Sequence, residues 1–492
     1  MVKIMRNIVV GKYTLESLTN GMYASPLDLF REYIQNAVDS IDTAIDRGIL
    51  NEKDAIISVK VDAIEKRITI TDNGTGISSQ KVEHILLDIG NSEKDRSTNR
   101  GFRGIGRLAG LGYCKQLIFS TSCVGESKKS QVIFDAQKLR TKMHIRSNSE
   151  ETIFDVIEAV TECEVMPEKD KKHFFTVELI GVETVGNLLE ADVVKAYLVQ
   201  NLPLKYKPSF RWGNIIEKKI AKEGYRIPSY SVVFSDGEKE EQLYKCYDNV
   251  IVSDRVKKYV KNINDVEIVP FFVQNKLGAV LWFAKLEYAG TVLDDYVKGI
   301  RIRQGNILIG NKNTANQYFR EERFNGWLIG ELYVVSDDII PNARRDDFEE
   351  NNEYNELKEQ LIEWSALITK EIRKCSLERS NVSEKKEAIE KAEVEDENKL
   401  TIEDVIFADE DDFIKGNVDE ATYVAENELF DRFQILLGQK GNNYKYKVLN
   451  MREDIPHEQR RIIEKVLNTI FETYPKKKAE SLAECIVRNY KY

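Results

Sequence analysis

Glu32, Asn36 and Asp39 share one side of a stretch that is otherwise patterned as an amphipathic helix, and that side limits what the chain can become more than any bulk property does. The stretch begins Ser25-Pro-Leu-Asp-Leu-Phe-Arg-Glu-Tyr-Ile-Gln-Asn-Ala-Val-Asp, with Ser25 as N-cap, Pro26 at the first helical position and Gly48 closing the far end. At about 100° per residue, Leu27, Phe30, Ile34, Ile41 and Ile45 gather opposite the polar trio. The apolar stripe can pack on a sheet while two carboxylates and an amide stay together on the other face. A charged helix face is most often just solvated. The segments that follow point to a site instead.

Residues 56–62 and 67–72 alternate apolar and polar side chains like two strands of a hairpin, and the second runs into Asp72-Asn-Gly-Thr-Gly-Ile77. Gly74 and Gly76 allow backbone conformations and close ligand approach that a side chain would block, so Asp72 can face a flat base at the floor of a pocket. Between Gly90 and Gly112 there are six glycines together with Lys94, Arg96, Arg100, Arg103 and Arg107. That cationic segment ends Gly101-Phe-Arg-Gly-Ile-Gly-Arg-Leu-Ala, a glycine loop entering a helix, where free backbone N–H groups and the positive end of the helix dipole suit phosphates.

In this order and spacing the three pieces resemble the GHKL ATPase superfamily, which includes gyrase B, the ninety-kilodalton heat-shock chaperones (HSP90), histidine kinases, MutL-type repair proteins and MORC proteins. Glu32 to Asp39 is similar to the family's N-box, Asp72 to Gly76 to its adenine-binding motif, and Gly101 to Gly106 to its phosphate-binding lid. The resemblance covers the first third of the chain and implies ATP and Mg²⁺ as cofactors. It implies that Asn36 holds the metal, that Asp72 accepts from the adenine amino group, and that Glu32 positions and deprotonates the attacking water. Asp39, Gly74, Gly76, Lys94, Gly101, Arg103, Gly104 and Gly106 complete the nucleotide-binding set. The four histidines (His84, His144, His173, His457) lack the dimerisation-helix setting of a phosphoacceptor, so hydrolysis fits better than autophosphorylation.

The 492 residues are enough for two or three domains, and 42% hydrophobic content supplies a substantial core. No apolar run is long enough to span a bilayer, and the first residues lack the hydrophobic region of a signal peptide, so a cytoplasmic location and no membrane partner are expected. Six cysteines without a C-x-x-C pair suggest neither zinc nor disulfides, and they are read as reduced and mostly buried. Seventy-two basic against 82 acidic residues give −10, which provides no whole-chain attraction to nucleic acid; a nucleic-acid partner is not favoured.

The expected fold is α+β: a GHKL (Bergerat-type) ATP-binding α/β sandwich over residues 1–185, then an HSP90-middle-like α/β domain over 186–380. An acidic linker over 381–428 and a helical C-terminal region over 429–492 follow. Residues before Ser25 read as a strand or arm, and strands are expected at 116–124, 130–136, 174–182, 266–273 and 277–288. In the second domain, Pro341-Asn-Ala-Arg-Arg-Asp346 is similar to the middle-domain loop of the heat-shock chaperones, and Arg345 falls on that family's phosphate-sensing arginine. The spacing before Asn342 differs from the family by one residue, so Arg344 and Arg345 both stand as candidates. Asn352 to Leu377 has helical periodicity. From Ser383 to Glu428 there are 17 acidic and 5 basic residues, an extended or partly helical connector. Helices are expected at 429–437, 457–474 and 476–490.

The resemblance implies a Mg²⁺-dependent ATPase that closes a lid over ATP, associates as a homodimer and acts on a protein client or partner. Two other readings stand beside it: a DNA-associated ATPase of MutL or MORC type, and an ATP-sensing component of a bacterial defence system.

Overall fold

The computed structural model describes residues 25–87, 106–143, 151–183, 185–254 and 259–397, together with 421–423, 433–440, 443–451 and a few positions between 465 and 482. The chain divides into two compact units, Met1–Asn381 and Val382–Tyr492. The expected arm before Ser25 lies outside the described residues.

The first unit opens with helix α1 (Asp28–Asp46). Its entry turn is closed reciprocally: the Leu27 N–H donates to Ser25 Oγ (3.3 Å), and the Ser25 N–H donates to Asp28 Oδ2 (3.1 Å). Regular helix therefore starts three residues after the expected cap, with Ser25 and Pro26 in the turn that leads into it. Strands β1 (Ile56–Asp62) and β2 (Arg67–Asp72) follow, then the short helix α2 (Val82–Leu87) and a 3-10 segment at Gly106–Gly112. Next come β3 (Gln116–Ser122), β4 (Lys128–Asp135), α3 (Ala136–Met143), α4 (Ile153–Val160), β5 (Thr161–Pro167) and β6 (Phe174–Ile180).

Helices α5 (Ala191–Asn201) and α6 (Gly213–Lys222) precede β7 (Ser231–Ser235) and β8 (Glu240–Gln242). These strands form one eight-stranded sheet in the order β5-β4-β3-β6-β2-β1-β7-β8. Every pairing is antiparallel except β1 with β7. This first sheet thus extends past residue 185, the expected end of the first domain. The apolar alternation of Val232 and Phe234 gives β7 a buried face that continues the core under β1.

Alternation decides which face of the sheet is covered. Ile57, Val59 and Val61 on β1 and Ile68 and Ile70 on β2 are buried with Leu29, Phe30, Ile34, Ala37, Val38 and Ile41 of α1. Two residues beyond Ile70 the same inward face receives Asp72, a carboxylate where the pattern would place an apolar side chain. Of the cysteines, Cys114 is buried as expected, whereas Cys163 on edge strand β5 is exposed.

The small hairpin β9 (Val250–Ser253) and β10 (Tyr259–Asn262) leads to a second sheet, built from β11 (Asp265–Val273), β12 (Lys276–Lys285), β13 (Gly299–Gln304), β14 (Ile307–Leu308) and β15 (Ile329–Val334). Its order is β11-β12-β15-β13-β14, with β13 and β15 parallel. Helix α7 (Asn352–Glu397), twenty residues longer than its expected C-terminus at Leu377, covers one face through Tyr354, Leu357, Leu361, Ile368 and Ile372. Ile216 and Ile220 of α6 cover the other face with Tyr206, Tyr247 and Trp282.

Between these layers lies a buried polar network. Glu331 accepts from Arg303 Nε (2.5 Å), Lys245 Nζ (2.6 Å), Tyr206 OH (3.0 Å) and Tyr333 OH (2.5 Å). Arg303 also donates to the carbonyls of Gln200 (2.8 Å) and Leu202 (3.3 Å), and so caps the C-terminal end of α5. Burial alone would raise the Glu331 carboxyl, but Arg303 and Lys245 hold it well below the usual carboxylate range.

The second unit contains an antiparallel sheet of β16 (Ala421–Tyr423), β17 (Phe433–Lys440) and β18 (Asn443–Met451). Strand β17 replaces the helix expected at 429–437. The β-forming run Tyr444-Lys-Tyr-Lys-Val448, preceded by Gly441-Asn442, is a hairpin signature that the helical reading passed over. Within the expected helix at 457–474, residues 465–466 and 469–470 are helical.

Candidate nucleotide site

The site is assembled on α1. Glu32, Asn36 and Asp39 project from successive turns; Asp39 is buried and Glu32 and Asn36 are half-buried. Glu32 Oε1 lies 3.5 Å from Arg31 Nη2. Gly106 comes so close to Glu32 Oε2 that a β-carbon there would collide with it.

The Asp72–Gly76 loop docks against the same helix. Asp72 Oδ1 accepts from the Gly74 N–H (2.9 Å), which fixes the carboxylate's orientation at 3% exposure. Ser40 Oγ accepts from the Thr75 N–H (3.0 Å), and a β-carbon at Gly74 would overlap Ser40. Gly76 has φ 63° and backs onto the Ser122 carbonyl, so it is glycine for both conformation and space. From the far side His173 Nδ1 meets the Gly74 carbonyl at 2.7 Å, and Thr121 Oγ1 accepts from the Ile77 N–H (2.8 Å). The loop is held from the helix and from the sheet, with its buried carboxylate at the centre.

The loop Pro341–Phe348 brings the second sheet's contribution. An isolated bridge joins Pro341 to Phe348, Asn342 Nδ2 donates to Asp346 Oδ1 (2.6 Å), and Arg345 sits at the tip with φ 56°. With the Gln35 amide oxygen turned toward it, Arg345 donates to that oxygen from both terminal nitrogens, at 2.8 and 3.0 Å. Arg344 is exposed, and only its carbonyl faces α1, where it accepts from Arg31 Nη2 at 3.5 Å. Arg345 is therefore the arginine whose guanidinium reaches the helix of Glu32 and Asn36.

The structure brings together Glu32, Asn36, Asp39, Asp72, Gly74, Gly76, Gly106 and Arg345. Lys94, Gly101, Arg103 and Gly104 lie outside the described residues. Gln35, Ser40 and His173 were not singled out from the sequence. A buried Gln beside Asn36 was the available sign for the first; single Ser and His residues give none.

A nucleotide suits these groups: a buried acid and a loop with no room for a β-carbon at Gly74 or Gly76 make a floor for a flat base. Among the described residues no three His, Cys, Asp or Glu side chains converge into a metal cage. Asn36, as one oxygen donor, matches Mg²⁺ held chiefly by phosphates and water. Among the described residues no helix is long and apolar enough to cross a membrane.

Residues 28–165 match the family described as histidine kinase-, DNA gyrase B- and HSP90-like ATPase. The chain is 22% identical over 293 residues to the chaperone protein HtpG of Psychromonas ingrahamii, covering 56% of this chain and 43% of that one. It is 38% identical over 78 residues to HtpG of Polaromonas naphthalenivorans, covering 14% and 12% of the two chains. HtpG of Halalkalibacterium halodurans is 26% identical over 137 residues, 25% of this chain and 22% of its own. In each case the matched part is less than half of the relative's length.

Proposed function

We propose, from a chain whose residues 28–165 form a GHKL-type ATPase domain, that the protein hydrolyses ATP with a catalytic set divided between its two sheets and uses the cycle to act on a protein partner. The observation that carries this reading is the contact of Arg345, from a loop of the second sheet, with Gln35 on the helix of Glu32.

Each residue has a role that follows from its place. Asp72, buried and oriented by the Gly74 N–H, accepts from the exocyclic amine of adenine. Glu32 takes the proton of the attacking water, and Arg345 supplies positive charge where charge develops at the γ-phosphoryl group. Mg²⁺, when bound through Asn36, would neutralise phosphate charge. Gly106 offers a backbone approach beside Glu32, where a β-carbon would displace the carboxylate. Because Arg345 comes from the second sheet, turnover depends on how that sheet sits against α1.

The similarity to proteins named as chaperones supports a protein client, and the proposed cycle has a homodimer close over ATP to engage it. Hydrolysis by the full chain, measured alone, with an unfolded model protein and with duplex DNA, tests the assignment. Stimulation by the unfolded protein together with suppression of its aggregation is expected. Stimulation by DNA alone would replace the client reading with a DNA-associated one.

A further inference from the structure

Tyr33 follows Glu32 directly on α1, yet it points the other way, into the core, at 3% exposure. Its hydroxyl donates to the Arg107 carbonyl (3.1 Å) and accepts from the Gly110 N–H (2.8 Å). These are the two backbone groups that an i to i+3 step of a 3-10 helix joins, so one phenolic oxygen spans a step of the Gly106–Gly112 segment. Gly110 has been shaped around it. A β-carbon there would stand 2.6 Å from the Tyr33 oxygen and 3.1 Å from Leu179 Cδ2. Arg107, the residue whose carbonyl Tyr33 holds, also donates from Nε to the Leu86 carbonyl at 3.1 Å, tying the segment to the end of α2.

The segment begins with Gly106, the residue pressed against Glu32 Oε2. Neighbouring residues of one helix therefore do two linked things: Glu32 presents its carboxylate to Gly106, and Tyr33 fixes the register of the segment that carries Gly106. We propose that Tyr33 is a positioning residue for hydrolysis, setting the backbone of Gly106 against the Glu32 carboxylate through its bridge across Arg107 and Gly110. This rests on Glu32 being the general base. Tyr33 touches neither nucleotide nor water in this account, and it acts through the segment alone.

Removing the hydroxyl leaves the Arg107 carbonyl and the Gly110 N–H opposite each other and able to pair directly, so the loss in stability is small. The register changes instead, and a shift on the order of 1 Å in a reacting constellation can slow chemistry by up to about a hundredfold.

The test is hydrolysis and ATP affinity in the full chain for Tyr33→Phe, Gly110→Ala, their combination and Glu32→Ala. Tyr33→Phe is expected to lower kcat at least about tenfold, within the range a misplaced catalytic contact produces, with KM and Tm near the parent's. Gly110→Ala, which forces its methyl onto the hydroxyl, should lower kcat as well. Adding it in the Tyr33→Phe background should cost less than adding it to the parent, because the clashing oxygen is gone. A parent-like kcat in Tyr33→Phe, or a fall in kcat matched by a fall in Tm and weaker ATP binding, overturns the proposal. If Glu32→Ala is inactive while Tyr33→Phe is parent-like, this inference alone fails. If Glu32→Ala keeps the parent rate, the reading of the site fails and takes this inference with it.

Discussion

With the Gln35 amide oxygen turned toward it, Arg345 Nη1 and Nη2 stand 2.8 and 3.0 Å from that oxygen, although Gln35 lies on the helix packed against the first sheet and Arg345 on a loop that follows the second. Gln35 stands three residues after Glu32 on α1, so the guanidinium is delivered beside the face that holds Glu32. Under the proposed function, a cation brought in by a loop of the second sheet makes hydrolysis conditional on the arrangement of the two sheets.

Replacing the arginines separates their roles. Arg345→Ala should reduce single-turnover hydrolysis by about a thousandfold, the lower end for a missing arginine finger, while Mg²⁺-ATP still binds. Arg344→Ala removes an exposed side chain whose carbonyl contact survives, and it should stay near the parent rate. Equal rates for Arg345→Ala and the parent would return the loop to a structural role.

Asp72→Asn should abolish measurable ATP binding in calorimetry. The amide can place a donor where the adenine amine needs an acceptor, in a position only 3% exposed where an unmatched donor finds no water. Unchanged affinity would remove Asp72 from the pocket floor.

Glu331→Gln should destabilise the fold by about 3–5 kcal/mol, because Arg303 and Lys245 would remain buried without their anion. The pH dependence has a definite sign. The folded carboxyl lies below its ordinary value of 4.5, so its stabilisation is complete above that pH and is lost as the pH falls. Denaturation at neutral and acid pH should show the gap between parent and variant narrowing below about pH 4.5, with a constant gap contradicting the assignment.

Much of this was legible in local pattern. Residues 56–62 and 67–72 form strands over the predicted spans because alternation at period two has few competing solutions, and Asp72-Asn-Gly-Thr-Gly carries its own turn chemistry. Which of Arg344 and Arg345 contacts α1 through its guanidinium was not legible, because it depends on the positive φ at residue 345 and on Gln35, more than three hundred positions away. The Glu331 network was hidden for a similar reason. Single Lys, Arg and Glu residues read as solvent-facing until the fold brings them together. The helix expected at 429–437 failed because a short apolar run such as Ile435-Leu-Leu437 satisfies either period, and the hairpin partner at 443–451 decided it.

The most direct test of the ATPase account is single-turnover hydrolysis by Glu32→Ala beside calorimetric binding of Mg²⁺-ATP to the same variant. The account predicts binding close to the parent's and hydrolysis slower by at least about a hundredfold, the scale of a lost general base. Hydrolysis at the parent rate would contradict it and remove Glu32 from the role of general base.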